Sequence, residues 1–295
     1  MDGQDFTEHA FSAADGLKLY ARVYGEDGHA ALPAICLPGL TRNSRDFHEL
    51  ALALSSDPKS PRKVICFDFR GRGRSAHDPD WKNYNVITEA NDVLAGLAAL
   101  GVSHGIFIGT SRGGLVMHVL GGMRPGVMKA GILNDVGPVI EGDGLTQIRS
   151  YLERAPKPAT WDDARKIQSA VLAEPFPALS EADIDRMTRA IYRDENGKPV
   201  PDYDPNLLKT LTSVDLSKPL PELWPQFVGL TAMPLMAIRG ANSRLLSEQT
   251  VDKMRDFCPA LEVITVAGQG HAPLLETGDL PRRIAVFAAK ADKGH

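Results

Sequence analysis

Short apolar runs alternate along the chain with stretches whose apolar residues recur every three or four positions. Residues 17–24 (LKLYARVY) alternate apolar and polar side chains, the period of a half-buried strand. A turn at Asp15-Gly16 predicts that they pair in a hairpin with residues 6–12. The runs 34–37 (AICL), 64–69 (VICFDF), 105–108 (GIFI), 130–133, 234–238 (PLMAI) and 261–266 (LEVITV) read as strands, 34–37 and 105–108 of the fully buried type. Helical spacing fills the gaps at 47–54, 88–100, 115–121, 247–257 and 280–290. Thr88 is the expected N-cap of the second of these helices and Gly101 its stop.

This rhythm predicts an α/β protein with a mostly parallel sheet and helices on both faces. Right-handed crossovers then gather the strand-to-helix loops at the carboxyl edge of the sheet, where such folds bind ligands. The rhythm stops between residues 139 and 229. That stretch is Pro-rich and helical, carries Tyr151, Trp161, Phe176, Tyr192, Tyr203 and Trp224, and has no convincing buried strand. The expected division is a core of residues 1–137 and 230–295 with a helical cap of residues 138–229, leaving the sheet at its carboxyl edge.

Composition narrows the function. A 295-residue chain with 43% hydrophobic residues can bury one large core with an insertion. The net charge of −4 and arginines scattered among acids argue against nucleic-acid capture. Residues 1–16 are acidic and polar, and no apolar run approaches the ~20 residues that span a bilayer. A soluble, cytoplasmic protein is expected. Cys36, Cys66 and Cys258 are too few and too widely spaced for a disulfide framework or zinc site, and are expected as buried thiols. With no metal cluster, P-loop or dinucleotide fingerprint, no cofactor or metal is expected. The expected partner is a small-molecule substrate, with neither nucleic acid nor membrane, and a homodimer is compatible with the sequence.

The strongest chemical signal is Gly109-Thr110-Ser111-Arg112-Gly113-Gly114, a G-x-S-x-G turn between a buried strand and a helix. Its glycines permit a turn tight enough to lift Ser111 above the helix N-terminus, where the dipole favours negative charge. His271, in Gly268-Gln269-Gly270-His271-Ala272-Pro273, follows the last strand and is placed to take the Ser111 proton. His9, His29, His48, His77, His104, His118 and His295 lack such placement and are read as surface or packing residues. Leu37-Pro38-Gly39-Leu40 follows the first buried strand; the Leu40 and Arg112 N–H groups are the expected oxyanion donors.

In this order, LPGL, DFRGRGRS (68–75), GTSRGG and GQGHAP resemble the α/β-hydrolase superfamily. The resemblance implies an eight-stranded, mostly parallel sheet, a helical cap, and a serine nucleophile (Ser111) with a histidine base (His271). It also implies that Asp68 and Arg70 hold their loop rather than react. Many members place the acid after the strand corresponding to residues 234–238, but the expected position here holds Arg244. Glu248 and Asp252 sit on the next helix, where they are expected to face solvent. Some members carry the acid one strand earlier, a position that Asp135 occupies, after the sixth strand.

The reaction expected is hydrolysis of a small ester, lactone or amide-type bond through an acyl-enzyme. The pattern is similar to (acetamidomethylene)succinate hydrolases, enol-lactone hydrolases and carboxylesterases. Two rival readings use the same residues: a catalytically weak ligand-binding homologue, and a non-hydrolytic member such as an acyltransferase, lyase or cofactor-free oxygenase. Arg42, Tyr151, Trp161 and Tyr192 are the candidate substrate contacts; Arg42 and Arg45, which follow the LPGL loop, are placed to meet a substrate carboxylate or else to be solvated loop charges.

Overall fold

The structure is a computed structural model and describes residues 5–154, 156–215, 218 and 220–294. Strands β1 (Thr7–Ser12), β2 (Lys18–Tyr24) and β3 (Ala34–Leu37) come first, followed by helix α1 (His48–Ser55) and β4 (Val64–Asp68). Then come α2 (Val86–Ala99), β5 (Gly105–Thr110), α3 (Arg112–Met123) and β6 (Met128–Asn134). Next are α4 (Gly142–Arg154), α5 (Trp161–Leu172), α6 (Glu181–Ile191), β7 (Tyr192–Glu195), β8 (Lys198–Pro201), α7 (Leu208–Thr212) and α8 (Trp224–Leu230). The chain closes with β9 (Leu235–Gly240), α9 (Glu248–Phe257), β10 (Glu262–Val266) and α10 (Leu280–Asp292).

Eight strands form one sheet in the order β1-β2-β4-β3-β5-β6-β9-β10. β2 runs antiparallel to β1 and β4, and the remaining neighbours are parallel. Successive side chains of each strand feed opposite cores. Ile35, Ile65 and Phe107 pack with α2, α3, α8 and α9, whereas Cys36, Cys66 and Ile108 pack with α1 and α10. This two-sided burial explains why the strands read as unbroken apolar runs. The three cysteines are free and buried.

The segment between β6 and β9 adds no strand to the main sheet. Its ends are tied together by the Leu223 N–H donating to the Pro138 carbonyl at 2.7 Å. It is not wholly helical: β7 and β8 form a separate antiparallel pair. The turn is Asn196-Gly197, both at positive φ (54° and 81°), the backbone that a two-residue hairpin favours. Helix α2 also starts earlier than Thr88. Asn85 caps it, its side chain accepting from the Ile87 and Thr88 N–H groups. Among the described residues, no helix is long and apolar enough to cross a membrane.

Candidate active site

The carboxyl ends of β3, β5, β6, β9 and β10 deliver the chemistry to one edge. Ser111 follows β5 with φ 51° and ψ −112°, a conformation that non-glycine residues rarely adopt. The turn around it is tight. A Cβ on Gly113 would lie 2.1 Å from the Leu37 carbonyl oxygen, and one on Gly109 would lie 2.6 Å from the Gly114 nitrogen. Only glycine fits at either position, which is the physical content of the motif.

His271 Nε2 lies 2.8 Å from Ser111 Oγ, and Nδ1 lies 2.7 Å from Asp135 Oδ2. With the ring proton on Nδ1, the imidazole donates to Asp135 and accepts from the Ser111 hydroxyl. Asp135 is fully buried at the end of β6, also in the left-handed region (φ 53°). Two further donors satisfy its carboxylate: the Gly240 N–H at 2.8 Å and the Ser243 hydroxyl at 2.5 Å. The loop after β9 therefore supplies no carboxylate but supports the one that β6 supplies. Arg244 lines the cavity but makes no hydrogen bond with His271; it is 65% exposed and sits 3.9 Å from Glu174. Glu248 and Asp252 are 79% and 73% exposed and pair with Arg239 and Arg255.

Gly39 and Leu40 follow β3 beside the serine. A Cβ on Gly39 would lie 4.0 Å from the Ser111 Cβ. Among the described residues, neither the Leu40 N–H nor the Arg112 N–H donates to another protein group. Two unengaged backbone donors thus lie next in the chain to Gly39 and to Ser111. Asn134 ties the edge together by donating to the Pro273 carbonyl at 3.0 Å and to the Thr110 hydroxyl at 3.1 Å.

A cavity of about 1220 Å³ lies over this edge, lined by Ser111, His271, Leu40 and Arg42 on the sheet side. Tyr151, Gln168, Tyr192 and Tyr203 line it from the segment between β6 and β9. The Gln168 side-chain amide donates to the hydroxyls of both Tyr151 (3.1 Å) and Tyr192 (3.2 Å). Trp161 does not reach the cavity. Its indole N–H donates to Asp194 at 2.9 Å and Arg189 stacks on its ring, so it fastens α5 to the β7–β8 hairpin. Arg45 is not a solvated charge: it pairs with Asp202 at 2.6 Å and donates to the Ala190 and Tyr192 carbonyls. Arg42 makes a two-pronged pair with Asp46, at 2.7 and 2.5 Å. Burial works to lower the Arg42 pKa, but the charge and hydrogen bonds of Asp46, together with Tyr151 and Glu276, outweigh it and leave the pKa above the usual arginine value.

Several groups at or behind the site escaped the sequence reading. Glu276 lines the cavity, and burial pushes its carboxyl up to about 7. Ser243 carries no pattern that reveals its bond to Asp135. Glu89 did leave a trace: with Ala90, Val93 and Leu97 it lies on the buried stripe of α2. His118 is fully buried, with Nδ1 2.7 Å from the Gly114 carbonyl oxygen, and burial pushes its pKa down to about 4. His295 lies outside the described residues. Asp68 accepts the Ser44 and Arg74 N–H groups at 2.7 and 2.8 Å and so holds its loop. Among the described residues, no group of three or more His, Cys, Asp or Glu side chains converges as a metal site requires.

Comparison with known proteins agrees with this architecture. The family described as alpha/beta hydrolase fold matches residues 33–277. The chain is 31% identical over 269 residues to the 3-hydroxybutyrate-oligomer hydrolase of Cupriavidus necator, covering 86% of this chain and 88% of that protein. It is 26% identical over 234 residues to the 2-(acetamidomethylene)succinate hydrolase of Mesorhizobium japonicum, covering 79% of each. Among solved structures, an alpha/beta hydrolase from Novosphingobium aromaticivorans superposes with a TM-score of 0.87 at 32% identity, over 97% of this chain and 99% of that one. On this evidence the chain belongs to the alpha/beta hydrolase fold family.

Proposed function

We propose that the protein is a serine hydrolase that cleaves carboxylic esters through an acyl-enzyme. The observation that carries this reading is the unbroken relay from Asp135 through His271 to Ser111, at 2.7 and 2.8 Å. His271 Nε2 takes the hydroxyl proton as Ser111 Oγ attacks the ester carbonyl. The Leu40 and Arg112 N–H groups receive the oxyanion of the tetrahedral intermediate. Asp135 holds the ring and stabilises the imidazolium. Collapse expels the alcohol, which leaves with the proton from His271. Water then attacks the acyl-Ser111 carbonyl, with His271 again as base, releasing the acid and restoring the hydroxyl.

Residues 138–229 act in this reading as a cap that sets specificity, with Tyr151, Tyr192 and Arg42 as substrate contacts. The likeness to a 3-hydroxybutyrate-oligomer hydrolase favours an oxoester of a short hydroxy acid. A cavity of about 1220 Å³ is roomy enough for such a chain. The second reading is an amide-type bond in a small carboxylated substrate, favoured by the likeness to a 2-(acetamidomethylene)succinate hydrolase.

The test is a panel of p-nitrophenyl acetate and butyrate, 3-hydroxybutyrate dimers, lactones and N-acyl enamines, assayed with purified protein and with Ser111→Ala. The ester reading expects a burst of nitrophenol, an acyl-Ser111 adduct by mass spectrometry, and ¹⁸O from water in the released acid. Faster turnover of an N-acyl enamine than of any ester would favour the second reading. Absence of any adduct would favour a ligand-binding homologue. A formed adduct that discharges to an acceptor other than water would favour an acyltransferase.

A further inference from the structure

The loop after β4 carries two arginines, Arg70 and Arg72, that are almost wholly inaccessible to solvent and that the chemistry above does not use. Arg70 is surrounded by carboxylates. It donates from Nε and Nη2 to Asp92 at 2.7 and 2.6 Å, and from Nη1 to Asp78 at 2.5 Å and Asp15 at 2.9 Å. None of these acids touches the relay or the two backbone donors. This cluster closes the loop against β1–β2 and α2.

Arg72 is arranged differently. Its Nε donates to the Leu40 carbonyl at 2.7 Å, and its Nη1 donates to Glu89 Oε1 at 2.7 Å and to the Arg70 carbonyl at 2.6 Å. The second oxygen of Glu89 accepts from Arg112 Nε at 2.6 Å, and Arg112 Nη2 donates to the Tyr84 carbonyl at 2.9 Å. One carboxylate, 0% exposed, therefore joins the two residues whose N–H groups are unengaged and are assigned above as the oxyanion donors. It reaches Leu40 through Arg72 and Arg112 directly.

An ion pair buried this completely is an expensive way to hold a loop compared with apolar packing. Its geometry suits a different task. One carboxylate fixes two guanidinium groups at once, and through them the chain at Leu40 and Arg112, in a single arrangement. Burial drives the Glu89 carboxyl upward, but the Arg112 and Arg72 charges outweigh it, so its pKa lies below the usual range. Burial pushes the Arg72 guanidinium down to about 10, which still leaves it charged at neutral pH.

We propose that Glu89 is a positioning residue for oxyanion stabilisation, holding Arg72 and Arg112 together so that the Leu40 and Arg112 N–H groups keep their mutual geometry. This rests on the assignment of those two N–H groups under the proposed serine-hydrolase reading. Glu89 touches no substrate atom. Its effect falls on the transition state rather than on substrate binding, because the oxyanion exists only there.

The experiment compares Glu89→Gln and Arg112→Met with Asp92→Asn, which disturbs the Arg70 cluster one helical turn along α2. Each protein is first titrated with a fluorophosphonate probe. A wild-type protein left unlabelled would defeat the serine-hydrolase reading itself. With labelling established, kcat and KM for p-nitrophenyl butyrate and Ki for a trifluoromethyl ketone, which forms a tetrahedral adduct with the serine, are measured. Glu89→Gln is expected to lower kcat about 10- to 100-fold with KM within threefold, and to weaken the ketone in parallel. Arg112→Met, whose side chain is only partly buried, is expected to do the same to a smaller degree and covers the case in which Glu89→Gln does not fold. Asp92→Asn is expected to lower Tm with kcat and Ki unchanged. Folded Glu89→Gln or Arg112→Met protein with wild-type kcat and Ki would overturn the proposal, as would equal losses of kcat in Asp92→Asn.

Discussion

At the sheet edge, Asp135 is fully buried and its carboxylate meets three donors, whereas the facing helices α5 and α6 hold their charges in open pairs. Lys166–Asp162 and Arg165–Glu181 are examples, with side chains 41–88% exposed. The difference follows from what each region must do. The edge holds Ser111, His271 and Asp135 in hydrogen-bond contact, with left-handed backbone at Ser111 and Asp135 and desolvated polar contacts around the carboxylate. The segment between β6 and β9, in the proposed reading, needs only to present a surface, and amphipathic helices with exposed outer faces suffice. It is nonetheless docked firmly. The Arg45–Asp202 pair and the Asn43 side chain, which donates to the Ala190 carbonyl at 3.2 Å, tie the β7–β8 hairpin to the loop after β3.

The comparison breaks most sharply at Asp135. Asparagine there is expected to lower kcat about 10⁴-fold for the preferred ester, because the ring loses its orienting acceptor. Glu248→Gln and Asp252→Asn, on the exposed helix nearby, should leave kcat near wild type in the same assay. Comparable small effects from all three would remove Asp135 from its assigned place.

Glu276 sharpens the comparison through pH. Its folded pKa of about 7 lies above the ordinary glutamate value of about 4.5, so its contribution to stability is full below pH 4.5 and is lost as pH rises through 7. The loss is at most about 3 kcal/mol, from the size of that shift. Urea unfolding between pH 4.5 and 8 should show it in the wild type and find it flattened in Glu276→Gln. Parallel curves for the two proteins would contradict the assignment.

Across the cavity, Tyr192→Phe removes the hydroxyl that accepts from Gln168. A cost of about 1 kcal/mol in stability or KM is expected, with kcat within twofold. A large kcat effect would place this tyrosine among the reacting groups instead. At the far end of the scale, Lys166→Ala on the outer face of α5 is expected to leave both Tm and kinetics at wild-type values. A clear drop in Tm would show that the outer face carries structure the open ion pairs do not suggest.

Much of this was legible in the chain. The apolar runs located the parallel strands, since a strand covered on both faces has no polar side to interrupt it. Gly109 and Gly113 announced the turn at Ser111, because a side chain at either position has nowhere to go. Other features were present but misread. Asn85 rather than Thr88 caps α2, although both are good caps, because the helix begins one turn earlier than its apolar stripe suggests. Asn196-Gly197 signalled the β7–β8 hairpin within a stretch read as helical, where surrounding polarity hid the short strands. Trp161 was grouped with the cavity aromatics because composition cannot tell an inward ring from one that clamps a helix to its neighbour.

The sequence by itself determined the order of the main-sheet strands and the helices between them, the tight turn that exposes Ser111, and the edge at which the loops collect. These depend on side-chain period and local sterics, which operate within a few residues. The resemblance already pointed to Asp135 as the acid; only the tertiary structure showed its carboxylate 2.7 Å from His271, that the loop after β9 contributes Ser243 in support, and that Glu89 bridges Arg72 and Arg112. Those contacts join residues far apart along the chain, and burial and hydrogen bonding act on neighbours in space, so no spacing in the sequence encodes them.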